Sequence, residues 1–288
     1  MSYSLNQLYQ TVGISRQAVH QYEHRQQVFT QQVQELLIEA EDLRSIHPGC
    51  GVEKMYWTLR PDFIGRDRFI DLFMSLGFRL KRHKNYRRTT YATSLHYPNL
   101  IKRMQVNAPG IIWQSDITYI DVRGTFYYAV FIIDVYTKEI VGYHVSNSLR
   151  AKANVKALDM ALRSHKAPKY HHSDRGSQYV YKDYIALLEK HKIQISMATS
   201  AQDNAYAERI NRTIKEEYLA YWKPESYQEL KRDVKRAVMN YNGKRLHNSL
   251  GKLSPKDFTN NWLNNQLIVQ PIITIFDNEC LTKPVNTN

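Results

Sequence analysis

The sequence predicts an α/β core, a mixed β-sheet flanked by helices, preceded by an all-helical N-terminal region. From residue 1 to about 105, apolar residues recur at helical spacing without strand-like runs. From 111 to 219, short runs of β-branched and aromatic residues alternate with amphipathic stretches. The resulting order, strand-strand-strand-helix-strand-helix-strand-helix, is typical of a mixed sheet with helices on its faces.

The first predicted unit, residues 1–45, has a helix-turn-helix pattern. In "SLNQLYQTVGISRQAVHQYEHR" a short helix is followed by a turn at Gly13 and by a second helix capped by Ser15. A plain helical hairpin is the alternative. If the unit binds DNA, the expected contacts are the polar residues that open the second helix: Arg16, Gln17 and His20.

The second predicted unit, residues 46–105, resembles a helix-turn-helix and ends in a basic linker. Its apolar spacing in "GVEKMYWTLRPDFIGRDRFIDLFMSLGF" predicts a helical pair. Basic runs are often solvated linkers, but this one adjoins a helical pair and carries aromatic residues, which favours phosphate contacts. The expected contacts are Arg79, Lys81, Arg82, Lys84, Arg87 and Arg88.

The predicted core, residues 106–222, opens with three strands in "IIWQSDITYI", "FYYAVFIIDVY" and "KEIVGYHVS". A helix in "AKANVKALDMALRSHK", a strand in "KYHHSDRGSQY", a helix in "KDYIALLEKHK" and a strand in "IQISMA" follow. The closing helix is "QDNAYAERINRTIKEEYL". A basic helical region, 223–262, contains the further expected DNA contacts Lys244 and Arg245, and the tail, 263–288, has no assigned role.

The charge indicates the class of partner. Forty Lys and Arg residues against 27 Asp and Glu give a formal net charge of +13, which suits nucleic acid or an anionic membrane. No apolar run approaches the roughly 20 residues that cross a bilayer, and the polar start is unlike a signal peptide. We therefore expect a cytoplasmic protein that does not enter a membrane. Cys50 and Cys280 are expected to be incidental thiols.

Three acidic residues are candidate metal ligands. Asp116 lies inside the first strand, where a charge is costly unless it is paired or bound to a cation. Asp174 lies where the fourth strand gives way to a loop, and Glu208 lies on the closing helix. If the three converge, their oxygens suit a pair of Mg²⁺ or Mn²⁺ ions, which serve phosphodiester chemistry. The alternative is a strand-end residue, a turn former and an i,i+4 pair of Glu208 with Arg212, worth about 0.3 to 0.5 kcal/mol.

Helical spacing separates the acids of the closing helix. The residues that share a face with Glu208 are Asn204, Asn211, Arg212 and Lys215. Ile210 and Ile214 form the apolar face, and Glu217 points towards them. Arg212 and Lys215 are therefore candidate phosphate ligands.

The stretches "WQSDITYI", "FIIDVYTKEIVGYHVS", "HHSDRGSQY", "ISMATSAQDNAYAERINRTIKEEYL" and "YNGKRLHNSLGKLSPKDF" closely resemble the second-frame transposases of IS3-type insertion sequences, in family order up to about residue 260. The resemblance implies an RNase H-like, retroviral integrase-like core with a five-stranded mixed sheet. By motif it assigns an Asp-Asp-Glu triad to Asp116, Asp174 and Glu208, and the family's basic residue two turns later to Lys215. Arg175 and Asn204 lie inside these motifs and are further expected DNA contacts.

The resemblance implies Mg²⁺- or Mn²⁺-dependent cutting and joining of double-stranded DNA at the ends of a mobile element. It also implies a homo-oligomer assembled on DNA and, as a further partner, an upstream-frame protein. One departure is the spacing: 33 residues separate Asp174 from Glu208, two fewer than in the family's usual pattern, and the shortening falls in "ATSAQ", residues 198–202.

Three other functions stay open at this point. An inactive DNA-binding regulator or element remnant would use the basic surfaces without chemistry, but it would be free to lose any of the three acids. A carboxylate-pair hydrolase of a neutral glycan would not need the excess positive charge. A related RNase H-like nuclease is closest in chemistry, and only the family motifs separate it from a transposase.

Overall fold

The structure, a computed structural model, describes residues 5–80, 97–267 and 269–275. The chain divides into two compact units, Met1–Lys81 and Arg82–Asn288. Most of the predicted basic linker contacts lie outside the described residues: Lys81, Arg82, Lys84, Arg87 and Arg88.

The first unit is helical, as predicted. Helices α1 (Leu5–Val12) and α2 (Arg16–Ile46) are joined through Gly13, whose φ of 71° is readily adopted by glycine. Ser15 caps α2, because its hydroxyl oxygen accepts a 3.0 Å hydrogen bond from the backbone N–H of Ala18. The helix-turn-helix connection is therefore present, although α2 continues for 31 residues.

The core of this unit joins α2 to the next two helices, α3 (Val52–Leu59) and α4 (Arg66–Ser75). Ala40 of α2 packs in one apolar cluster with Met55 and Phe69, all three fully buried. The predicted border at 45/46 therefore crosses a single continuous core. Arg16, Gln17 and His20 lie on the exposed N-terminal part of α2, away from this core.

The second unit contains the predicted mixed sheet. Its strands are β2 (Ile112–Val122), β3 (Thr125–Asp134), β4 (Ile140–Ser146), β5 (Tyr170–Ser173) and β6 (Gln194–Met197), in the spatial order β4-β3-β2-β5-β6. β2, β3 and β4 are antiparallel, whereas β5 pairs in parallel with β2 and β6. Arg123 and Gly124, both with positive φ, form the tight β2–β3 turn.

Helices cover both faces of the sheet. The other helices of this unit are α5 (Lys152–Ser164), α6 (Lys182–Lys190), α7 (Ala205–Ile214), α8 (Ala220–Trp222), α9 (Tyr227–Lys244) and α10 (Pro255–Leu263). Along β3, Val130 packs on the α5 and α6 side, and Phe131 packs on the α7 and α9 side. Two-sided burial explains why β3 is apolar almost throughout.

The C-terminal helical region is part of this core. Leu230 and Val234 of α9 are fully buried against the sheet, together with Ile210 of α7. In the predicted tail, β7 (Ile273–Thr274) pairs with β1 (Gln105–Val106). The predicted border at 222/223 thus runs through one apolar cluster. Within the described part of the chain, no helix is long and apolar enough to span a membrane.

Candidate active site

Strand register brings two of the predicted acids to neighbouring positions. Ser115 of β2 is paired with Ser173 of β5, and Asp116 and Asp174 are the residues that follow them. Partners on parallel strands point to the same face, and neighbouring strands lie about 4.8 Å apart. Asp116 and Asp174 therefore emerge side by side, on the sheet face that α7 covers.

Helix α7 is attached to β2 by polar side chains on both sides of Glu208. Asn204 Nδ2 donates a 2.9 Å hydrogen bond to the Ser115 carbonyl oxygen. Asn211 Nδ2 donates a 2.8 Å bond to Asp116 Oδ2. Because Asn204, Glu208 and Asn211 are spaced by four and three residues, they share one helical face. The two asparagines thus hold the helix that bears Glu208 against β2, the central strand, which carries Asp116.

The three carboxylates interact electrostatically. Burial, followed by the neighbouring Asp174 and Glu208 charges, raises the pKa of Asp116 well above its usual range, although bonds from Ile117 N–H and Asn211 oppose the shift. Burial also raises the pKa of Glu208, and Arg212 lowers it while Asp174 raises it. The cluster therefore carries like charges that nearby cations would stabilise.

The carboxylates are neighbours without forming a completed cation site. Among residues 5–80, 97–267 and 269–275, no group of three or more Asp, Glu, His or Cys side chains is arranged to hold a metal ion. Both oxygens of Asp116 accept hydrogen bonds, from Ile117 N–H at 2.9 Å and from Asn211 at 2.8 Å. Asp174 Oδ1 accepts a 3.0 Å bond from Gly176 N–H, and Glu208 is exposed. The donor set, three oxygen-bearing acids, suits a hard divalent cation.

Comparisons with known proteins decide the family. Integrase core domain models match residues 106–202 and 189–255. An uncharacterized 31 kDa protein of insertion element IS600 from Shigella sonnei is 36% identical, over 68% of this chain and 75% of that protein. The transposase of insertion sequence element IS904 from Lactococcus lactis is 34% identical, over 62% and 72%. Transposase InsF of IS3A from Escherichia coli is 31% identical, over 56% and 58%. The chain belongs to the IS3-type insertion-sequence transposases.

A solved viral intasome structure has a fold similar to that of the transposase. The simian T-cell lymphotropic virus intasome, solved in complex with PP2A regulatory subunit B56 gamma, gives a TM-score of 0.54 at 15% identity, covering 86% of this chain and 78% of that chain. This likeness shows the fold and confirms the predicted integrase-like core. The transposase is accordingly an enzyme of the polynucleotidyl transferase type.

The short loop before Glu208 is well braced in the transposase. Asp203 Oδ2 accepts hydrogen bonds from Thr199 N–H at 2.8 Å and from Ser200 N–H at 2.9 Å. Gln114 of β2 donates from Nε2 to the Asp203 carbonyl oxygen at 3.2 Å and accepts from Tyr206 N–H at 3.2 Å. Residues 198–202 run into a short turn, Ala201–Asn204, that precedes α7. Although this loop is two residues shorter than in the family's usual pattern, the start of α7 is still bonded to β2.

Several predicted DNA contacts are accessible on the transposase. Arg212 on α7 is exposed, and Lys215 is half-buried. Lys215 lies one helical turn after Asn211, which is bonded to Asp116, so the two residues share a face of the helix. Burial lowers the pKa of Lys215, and the Asp116 charge raises it. Arg175 is half-buried beside Asp174. The remaining exposed members of the predicted set are Arg16, Gln17, His20, Arg79 and Lys244.

Two predicted DNA contacts do not fit their assignment. Asn204 is 2% exposed and is bonded to β2. The Arg245 side chain is 9% exposed and is paired with Glu217. Both side chains are committed inside the protein, so neither presents its polar atoms to a partner.

Sequence reasoning also passed over two site residues. Asn211, which holds Asp116, and Gln114, which holds the start of α7, were not among the predicted site residues. A signal existed for each, because Asn211 follows Glu208 by three positions and Gln114 precedes Asp116 by two. Both therefore share a face with an acid.

Proposed function

We propose that the transposase cuts and joins double-stranded DNA at the ends of its mobile element, and that Asp116, Asp174 and Glu208 bind the divalent cations this chemistry uses. The observation that carries the proposal is the register of β2 and β5, which aligns the two aspartates beneath the helix that bears Glu208. Family membership supports the same assignment, since the three acids stand in the family's motifs.

The reaction has two balanced steps. In the first, water attacks a phosphodiester, one P–O bond forms as another breaks, and a 3′-hydroxyl leaves. In the second, that 3′-hydroxyl attacks another phosphodiester and releases a new hydroxyl end. When bound, Mg²⁺ or Mn²⁺, in a pair, would supply Lewis acidity to the attacking and leaving oxygens.

Individual side chains and one backbone N–H of the protein have distinct roles in this proposal. Asn211 and the Ile117 N–H fix the orientation of Asp116 through its two oxygens. Lys215, near Asp116, would contact the phosphate that reacts. The exposed Arg212 would contact a neighbouring phosphate, since arginine binds phosphate oxygens with two parallel bonds.

The wider DNA surface is proposed from charge and exposure. Arg16, Gln17, His20 and Arg79 are exposed in the first unit, and Lys244 is exposed at the end of α9. With a net charge of +13, these groups suit a polyanionic duplex. We also infer a homo-oligomer that holds paired element ends, acting with an upstream-frame protein as the family motifs imply.

The test is strand cleavage and joining on a duplex that carries the element's own end, with Mg²⁺ or Mn²⁺. Glu208→Gln keeps the size of the side chain but removes its charge, and we expect a rate loss of about 100-fold or more. Glu216→Gln is the matched control, because it makes the same change at an exposed position of the same helix. We expect it to stay within about twofold of wild type.

Three outcomes would contradict the proposal. An active Glu208→Gln variant would remove Glu208 from the triad. Cleavage that persists in EDTA would exclude the divalent cations. Binding of the element end by the wild type, without any cleavage, would favour the inactive DNA-binding regulator.

A further inference from the structure

The helix that carries Glu208 changes its winding at Lys215. After α7 the chain forms a π-turn, Lys215–Leu219, which is closed by a hydrogen bond from the Ala220 N–H to the Lys215 carbonyl oxygen. A π-turn adds one residue to the turn, so the faces of the helix shift by one position. Such turns are rare and frequently lie at functional sites.

Glu217 lies at the border of the apolar face of this helix. Ile210, Ile214 and Tyr218 follow one another at intervals of four residues, and Tyr218 is fully buried in the same apolar cluster. Glu217 precedes Tyr218 and meets a side chain from the far end of α9.

That side chain is Arg245, the residue after α9. Its Nε donates to Glu217 Oε2 at 2.7 Å, and its Nη2 donates to Glu217 Oε1 at 2.6 Å. The Arg245 side chain is 9% exposed and that of Glu217 is 22% exposed. The Arg245 guanidinium also lies 5.6 Å from the centre of the Tyr241 ring. The pair is bidentate and shielded from water, a geometry that fixes both partners.

A buried ion pair is weak evidence for stability, because the cost of removing two charges from water offsets their attraction. Apolar residues of similar volume are often as stable or more stable at such positions. The pair does, however, fix the π-turn at Glu217, two residues beyond Lys215. It joins that turn to a helix that is itself buried against the sheet.

We propose that Arg245, acting through Glu217, is a positioning residue that holds Lys215 beside Asp116 during strand cleavage. The C-terminal helical region is then a structural part of the active site, and Arg245 has this role in place of the predicted DNA contact. The inference rests on the proposed function, because that function supplies the phosphate that Lys215 would contact.

The test compares cleavage rates at saturating element-end DNA for the full chain. We expect Lys215→Ala to lower the rate by about tenfold or more and Arg245→Met to lower it by a similar factor. If Arg245 acts through Lys215, the double variant is no slower than Lys215→Ala alone. Arg123→Met is the matched control, since Arg123 forms an ion pair with Glu225 at 2.5 Å in which both side chains are more than half exposed. Its rate should match wild type.

A second variant separates positioning from folding. Glu217→Met combined with Arg245→Met removes both charges of the ion pair and leaves neither partner buried without the other, so its melting temperature should be close to that of wild type. We expect it to remain about tenfold slow, as the single Arg245→Met does, because Lys215 is no longer held. A wild-type rate in this variant would overturn the inference. So would losses that multiply when Lys215→Ala and Arg245→Met are combined.

Failure of this inference is distinguishable from failure of the proposed function. If only the inference fails, the Glu217→Met, Arg245→Met variant cleaves at the wild-type rate while Glu208→Gln is inactive. If the proposed function fails, Glu208→Gln itself is active or cleavage continues in EDTA.

Discussion

The two halves of the helix that closes the core treat their glutamates differently. In the first half, Ala205–Ile214, Glu208 is exposed beside two aspartates, and its Arg212 neighbour is exposed as well. In the second half, Lys215–Leu219, Glu217 is shielded and both of its oxygens are bonded to Arg245. The charge of Glu217 is already balanced by the Arg245 guanidinium, whereas the acids around Glu208 carry like charges. One helix therefore carries an exposed glutamate, Glu208, and a glutamate already paired with arginine, Glu217.

This comparison also changes the choice of control substitution. Glu217 is a second glutamate of the same helix, but it is not a suitable control for Glu208. Because Glu217 holds Arg245, its loss would disturb the protein for a reason unrelated to metal binding. Glu216, which is exposed in the second half of the same helix, is the appropriate control.

Tyr218→Ala tests the second half of the helix, Lys215–Leu219, and should have the largest effect on stability. The ring is fully buried and packs against Trp222, with centroids 5.4 Å apart. We expect the free energy of unfolding to fall by about 3 kcal/mol or more, measured by urea denaturation. Met239→Ala, at a 65% exposed position of α9, is the control and should change it by less than about 0.5 kcal/mol. A small loss for Tyr218→Ala would mean that the π-turn does not anchor the helix.

Glu217→Gln should have the next largest effect. It leaves Arg245 charged in a shielded position, and we expect a loss of about 2 kcal/mol in the free energy of unfolding. Glu216→Gln should change that energy by less than about 0.5 kcal/mol. Equal losses in the free energy of unfolding for Glu217→Gln and Glu216→Gln would show that the pairing of Glu217 with Arg245 does not matter for stability.

Asn211→Ala tests the first half of the helix, Ala205–Ile214, and should show the smallest effect on stability. Asn211 supports Asp116 through Nδ2, whereas its buried Oδ1 has no hydrogen-bond partner. Removing the side chain loses one bond and relieves one unsatisfied atom, so we expect a change in stability within about 1 kcal/mol. The cleavage rate should fall about tenfold, because the partner of a ligating carboxylate is lost. Asn147→Ala, at an exposed position, is the control. Unchanged cleavage by Asn211→Ala would show that Asp116 needs no such support.

Local pattern was sufficient for the order of the strands and helices. The run "FYYAVFIIDVY" predicted the strand β3, and Ser15 predicted the start of α2. Both predictions are confirmed. They could be made because each feature depends on residues that are close in sequence. The parallel pairing of β2 with β5, which brings Asp116 and Asp174 to neighbouring positions, could not be predicted from local pattern because the two strands are far apart in sequence.

The errors arise where distant residues determine the result. The π-turn at Lys215–Leu219 was not predicted, because helical spacing assumes 3.6 residues per turn throughout. Arg245 looked like one more base in a basic stretch, because nothing near it in sequence reveals its pairing with Glu217. Asn204 has the correct helical phase for a surface contact but is covered by β2.

The alignment of Ser115 with Ser173 determines which changes in chain length the active site can tolerate. The separation of Asp116 from Asp174 is set by the spacing between two hydrogen-bonded strands, so the connecting loops can lengthen or shorten without altering it. An insertion or deletion of one residue within β2 or β5 would instead turn one aspartate to the opposite face of the sheet. Loop length is therefore free to diverge between relatives of this transposase, whereas the phase of these two strands is not.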